Sequence, residues 1–437
     1  MSEIVNNQTT NKISRKLLQY SGALLFLLML AAPFELNVIK ISIISLLVTI
    51  SIINILIIKR IQLAKPVLIW FLSFIGFGIF FSIWAMFMPY NRIDLIIRSM
   101  PVNILWPILY FLVMPFINSE EVIELLHKTM ILGALLISLY LVGGALSYLG
   151  VLPIPSSFFS LVKPVVGKYD ASIQLFLPST TSLLFLIPFL VSYLLLQIFK
   201  KHRINPTFIV LALVLGIPAI IITARRALIL NLLITPVLIY IFLYLARVNL
   251  SKTVKAKLIK LFVGFIIICF VAGIILIKYE ILNLDPLVDL FINGFDFSEK
   301  SQDEGSIARA EQSVGLIQSW KDYPILGSGL GSASEYVNRS EATPWVYELS
   351  YLTLLFQTGI VGLLFYFGLL FWIFYKGIML IRENSKFIFI IPSLIGCFCF
   401  LLGNASNPYI IAFDHMWTIF IPIGFINFCC YKKNSLT

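Results

Sequence analysis

Stretches of about twenty residues with almost no acid or base recur along the chain, and this limits its fold more than any other feature. PTFIVLALVLGIPAIIITA (206–224) and ALILNLLITPVLIYIFLYLA (227–246) are two of them. As helices rising about 1.5 Å per residue, both can cross the roughly 30 Å of a bilayer's hydrocarbon. Backbone groups in hydrocarbon must be satisfied internally, and a helix does this within a single run. Twelve runs read as spans: residues 17–34, 37–58, 66–88, 101–117, 128–149, 173–199, 206–224, 227–246, 258–277, 348–375, 387–403 and 410–430. The expectation is an all-α, polytopic integral membrane protein with about twelve transmembrane helices. Its 59% hydrophobic and 12% charged residues lie far from a soluble average.

The distribution of charge gives an orientation. MSEIVNNQTTNKISRK at the N-terminus is polar and basic and has no cleavage-site pattern, so the first run is expected to remain as a span. With that terminus in the cytoplasm, 20 of the 32 Lys and Arg fall on the inner side. Both termini are therefore expected to be cytoplasmic. The acidic segment NSEEVIELLHK (118–128) runs against the trend, but acids count little in this rule. The net charge of +11 is then a topology signal, and no nucleic-acid partner is expected. The five cysteines (Cys269, Cys397, Cys399, Cys429 and Cys430) all lie in apolar runs, which speaks against a disulfide framework or a zinc site.

This orientation leaves one large outer loop, residues 278–347, between membrane domains 1–277 (nine spans) and 348–437 (three spans). The loop holds eleven acids against five bases. A loop of this length in a membrane protein is usually functional. Its middle reads as a helix with Ser306 as N-cap and Pro324 beyond its end. Ile307, Ala310, Val314 and Ile317 follow a 3,4 spacing and are expected to pack on the membrane domain. Arg309, Gln312 and Leu316 share a different face. GSGLGS (327–332) reads as a flexible turn; it follows no strand and has no trailing Lys-Ser/Thr, so it is not a nucleotide cradle.

Ionisable residues beside apolar runs are the site candidates. Arg225 and Arg226 stand between two spans with no acid in either run. A guanidinium fork matches phosphate oxygens bidentately, so a phosphate-bearing lipid is a natural partner; the plainer reading is snorkelling to headgroups. Arg92 and Arg98 precede the fourth span and read as interfacial anchors, with Arg98 a secondary site candidate. Glu348 opens the tenth span, either as a helix-start acid or as a general base for a sugar hydroxyl. Asp414 and His415 lie near the outer end of the last span. His415 is a secondary candidate and reads more plainly as a hydrogen-bonded interface residue. The three histidines (His127, His202 and His415) fall on different loops, which disfavours a histidine metal site.

Three segments carry a family resemblance. They are ITARRALILNLL (222–233), SIARAEQSVGLIQSWKDYPILGSGLGS (306–332) and YELSYLTLLFQTGIVGLLFY (347–366). The chain resembles the O-antigen polymerase/ligase superfamily of bacterial membrane glycosyltransferases in these motifs, in its twelve runs and in the long loop before the tenth. The motifs cover about a seventh of the chain. The resemblance implies a bacterial inner-membrane enzyme acting on undecaprenyl-diphosphate-linked oligosaccharide, with no metal and no cofactor. It implies that Arg225 or Arg226, together with Arg309, holds the diphosphate. Ligases of the superfamily typically carry His where this chain has Glu348, so the resemblance points to a polysaccharide polymerase making O-antigen, capsule or exopolysaccharide. An O-antigen ligase and a lipid-linked glycan flippase are the alternatives. Membrane lipid and a chain-length regulator protein are candidate partners.

Overall fold

The computed structural model describes residues 2–58, 63–89, 91–148, 150–155, 165–169, 172–197, 205–223, 225–248 and 304–434, with isolated positions between 256 and 274. Seven helices among these residues are long and apolar enough to cross a membrane: Lys65–Phe87, Ile93–Phe116, Glu120–Tyr148, Pro178–Leu196, Arg226–Leu245, Ser350–Glu383 and Ser385–Asn404. Leu18–Ala31, Asn37–Ile53 and Pro206–Ile222 are shorter apolar helices. This is the architecture of a helical membrane protein. Nearly all of the expected run 258–277, and loop residues 278–303, lie outside the described residues.

Burial grades from the centre outward. In the Pro178–Leu196 helix 94% of the most apolar stretch is buried, against 22% for Ile93–Phe116. The central helix packs on Ile391–Asn404 through small residues: a Cβ on Gly396 would meet the Phe185 backbone oxygen at 2.9 Å, and one on Gly403 would meet Leu184 Cδ1 at 2.7 Å. Positions 396 and 403 are seven apart and share a helix face, so the two backbones approach closely. On the outer helices Val38, Phe87, Tyr244 and Phe371 point away from the protein. Apolar surface on this scale is what a bilayer covers.

Three runs begin differently from expectation. The sixth, expected from residue 173, opens with a β-hairpin of Val165–Tyr169 and Ser172–Phe176 that pairs Val165 with Phe176 and Tyr169 with Ser172. Its SIQLF segment alternates polar and apolar residues, a strand period hidden inside an apolar count. A 3-10 turn at Pro178–Ser182 then leads into the helix Leu183–Leu196. The fourth starts earlier, at Ile93, and passes through a π-helical turn at Pro101–Leu105, where proline removes a backbone donor. In the last run the helix starts only at Trp417; before it, Pro408 introduces two 3-10 turns, Tyr409–Ile411 and Phe413–His415.

The described part of the long loop is a helix, Glu304–Asp322, and a segment inserted between membrane helices. The buried face of that helix carries Gln312, Leu316 and Ser319, whereas Val314 is exposed and Ile317 largely so. The expected apolar face is thus not the docking face. Polar residues dock because they find partners: Gln312 Oε1 accepts the Glu348 N–H at 2.8 Å, and Ser319 Oγ lies 2.7 Å from Ser334 Oγ.

GSGLGS is a packed strap, not a flexible turn. Ser328 N–H donates to the Phe356 carbonyl (3.1 Å), Gly329 N–H to Gln357 (2.7 Å) and Leu330 N–H to Phe81 (3.0 Å). Gly359, at φ +63°, breaks the helix Ser350–Glu383. The amides of Ile360 and Val361 thereby reach the carbonyls of Pro324 (3.0 Å) and Ile325 (3.2 Å). Gly329 sits at φ +95°, where a Cβ would lie 2.3 Å from Ala85 Cα. Only glycine combines that backbone with that approach. With these amides engaged, the strap offers no nest for a phosphate.

Candidate functional site

The docking of the loop helix brings Arg309 to Glu348. Arg309 Nε donates to Glu348 Oε2 at 2.9 Å, and Arg339 Nη2 lies 3.3 Å from Glu348 Oε1. The carboxylate is therefore held by a guanidinium on each oxygen, while Gln312 fixes its backbone. Glu348 lies two residues before the helix Ser350–Glu383, whose first turn contains no acid. Its partners are the two arginines, which displaces the helix-start reading.

Arg225 reaches the same place from the junction between Pro206–Ile222 and Arg226–Leu245. Its Nη1 donates to the Tyr409 hydroxyl at 2.8 Å. Burial draws the Arg225 guanidinium below the usual arginine range; Tyr409 offsets this, and the positive charge of Arg309 adds to it. Burial raises the Tyr409 hydroxyl, whereas Arg225, Thr181 and Arg309 draw it down and Glu348 pushes it up. Arg225, Arg309 and Glu348 thus share one electrostatic environment around Tyr409. The cluster combines the guanidinium groups of Arg225, Arg309 and Arg339 with the carboxylate of Glu348, an excess of positive charge. Arg226 opens the following helix and is partly buried; the contact with Tyr409 is made by its neighbour.

The secondary candidates border the cluster and make other contacts. Arg98 donates to the Ala342 carbonyl at 2.6 Å and lies 5.1 Å from the centre of the Trp345 ring, in cation–π contact. His415 is buried, not an interface residue, and its Nδ1 has no partner among the described residues. Its ring lies 6.2 Å from that of Tyr409. Beside it, Asp414 Oδ2 accepts from Lys40 Nζ at 2.9 Å and from the Phe34 N–H at 2.7 Å. This buried pair ties the Tyr409-bearing segment to the start of the second apolar run.

Neither Arg339 nor Tyr409 stands out in the sequence as a site residue. Arg339 was one of the five loop bases, and Tyr409 contacts Arg225 across 184 residues. Among the described residues no group of three or more His, Cys, Asp or Glu is arranged to hold a metal ion. Comparison with protein-family models and with curated proteins gives no match for the chain.

Proposed function

We propose that this chain is a membrane polysaccharide polymerase that transfers a glycan from polyprenyl diphosphate to a second lipid-linked repeat unit. The single observation that carries the proposal is the pairing of Arg309 and Arg339 with Glu348 beside the Arg225–Tyr409 contact. An arginine cluster with excess positive charge suits a diphosphate, whose oxygens each accept guanidinium forks. The same charge stabilises the diphosphate as it becomes a leaving group. In the resting protein Glu348 occupies the anion's place.

The proposed reaction has two parts. The donor's diphosphate draws Arg309 and Arg339 to itself and frees the Glu348 carboxylate. An acceptor hydroxyl oxygen then attacks the anomeric carbon. The new C–O bond forms, the bond to the diphosphate breaks with its electron pair, and the hydroxyl proton passes to Glu348. The base is thus released only when the donor is bound. In this reading the chain has twelve spans and both termini in the cytoplasm of a bacterium, with the loop 278–347 and the cluster outside. A glycan ligase would use the same cluster with a different acceptor. A flippase is less well supported, because the cluster sits at helix ends and not deep within spans.

The test is reconstitution of the purified protein with undecaprenyl-diphosphate-linked repeat units. A polymerase gives products longer than one repeat and releases undecaprenyl diphosphate. Unchanged substrate on its original leaflet, or transport without elongation, refutes the proposal. A Glu335→Cys variant labelled by a membrane-impermeant thiol reagent in intact cells supports the outer loop; labelling only after permeabilisation reverses the orientation.

A further inference from the structure

Next to the arginine cluster lies an open cleft, lined by residues that the reaction above does not use. It is bounded by the strap at Leu330 and Gly331, by Trp345–Tyr347 and by the first turns of the helix Ser350–Glu383. Its lining contains no Lys, Arg, His, Asp or Glu. In a site beside three arginines that absence is informative. The lining has two kinds of group instead. Trp345, Tyr351, Phe77 and Tyr366 supply aromatic surface, and Asn103, Gln357 and Asn404 supply neutral amides.

The walls of the cleft argue against an inert void. Ser350 lines it only two residues from Glu348, and its N–H donates to the Glu348 carbonyl at 3.0 Å. Trp345 is held from two sides. Arg98 lies 5.1 Å from its ring centre, and its carbonyl accepts from Gln357 Nε2 at 3.2 Å. A fixed aromatic face is a pre-organised platform for a ligand.

We propose that this cleft binds the acceptor's sugar ring, and that it selects an uncharged sugar over a uronic or other acidic one. The assignment rests on the polymerase reading for the word acceptor. A sugar ring has C–H faces that stack on the electron-rich face of an aromatic ring and hydroxyls that pair with amides. A ring in the cleft would lie close to the Glu348 carboxylate. A carboxylated sugar would find no cationic side chain in the lining to pair with. A polyprenyl chain offers no hydroxyl to the Asn103, Gln357 and Asn404 amides that line the cleft.

Saturation-transfer NMR on the full-length protein in detergent tests this. The probes are methyl β-D-glucopyranoside, methyl β-D-glucuronide and farnesol, chosen as neutral sugar, acidic sugar and isoprenyl chain. The wild type should saturate the neutral glycoside at least about five-fold more strongly than the glucuronide. The Ser350→Phe and Ile411→Trp variants, which fill the cleft, should lose that signal while keeping wild-type affinity for inorganic pyrophosphate. Equal saturation of the two glycosides overturns the selectivity, and needs no variant to fold. A neutral-sugar signal that survives both filled variants, or that farnesol displaces, overturns the site. Wild-type protein that saturates the neutral glycoside but makes no polymer refutes the polymerase reading and not the sugar site.

Discussion

Replacing Glu348 by glutamine keeps the size of the side chain and removes one negative charge from the arginine cluster. Two opposite effects follow. The wild-type carboxylate engages Arg309 at 2.9 Å and Arg339 at 3.3 Å, with side-chain exposures of 27% for Arg309, 36% for Arg339 and 20% for Glu348. Pairs this open to solvent are each worth roughly 0.5–1 kcal/mol after screening. An incoming diphosphate must displace both. In Glu348→Gln that competition is gone, so pyrophosphate should bind more tightly by about 1–2 kcal/mol, or roughly 5–30-fold. Glutamine cannot accept the hydroxyl proton, so chain elongation should fall by about 10²–10⁴-fold. Isothermal titration of pyrophosphate into the purified variant measures the first effect, and elongation of lipid-linked repeats measures the second. Because the pairs are partly exposed, the gain in binding should shrink as salt is raised. Unchanged or weaker pyrophosphate binding together with wild-type chain lengths would show that Glu348 neither competes with the anion nor takes the proton.

Three further perturbations read other parts of the account. Arg225→Lys and Arg309→Lys should each lower pyrophosphate affinity at least about tenfold, since an ammonium cannot make the bidentate contact; wild-type binding by both would remove the diphosphate assignment. Gly329→Ala puts a Cβ 2.3 Å from Ala85 Cα at φ +95°, so the variant should lose at least about 2 kcal/mol of stability, visible as a lower melting temperature in detergent. Lys40→Met leaves Asp414 as an unpaired buried charge and should cost roughly 3–5 kcal/mol, whereas Lys40→Met with Asp414→Leu should recover part of it; equal melting temperatures for the two would deny the pair a structural role.

The apolar runs were legible because hydrocarbon admits so few alternatives for the backbone. Their ends were less so. SIQLF at 172–176 passes an apolar count yet pairs as a strand, and Trp417 begins its helix several residues late because Pro408 holds the preceding turns open. Reading the loop helix by apolarity chose the wrong face. Val314 looks like a core residue but is exposed, whereas Gln312 and Ser319 are buried because each finds a hydrogen-bond partner that only the folded chain supplies. In the site, Arg225 and Glu348 stood out as charges beside apolar runs, and Arg309 through the family resemblance. Arg339 and Tyr409 did not, since an exposed loop arginine and a tyrosine in an apolar segment have many ordinary explanations. The strap, pinned by Gly329 and Gly359, and the Gln312 and Ser319 contacts together hold the loop helix where Arg309 meets Glu348.

The central claim is that the arginine cluster exchanges Glu348 for a diphosphate. A cryo-EM structure of the protein with undecaprenyl diphosphate tests it most directly. The account predicts density for the diphosphate between Arg225 and Arg309, with guanidinium–oxygen distances of roughly 2.7–3.0 Å and the Arg309–Glu348 pair opened from its resting 2.9 Å. Diphosphate bound away from these arginines, or bound there with the Arg309–Glu348 contact intact, would contradict it.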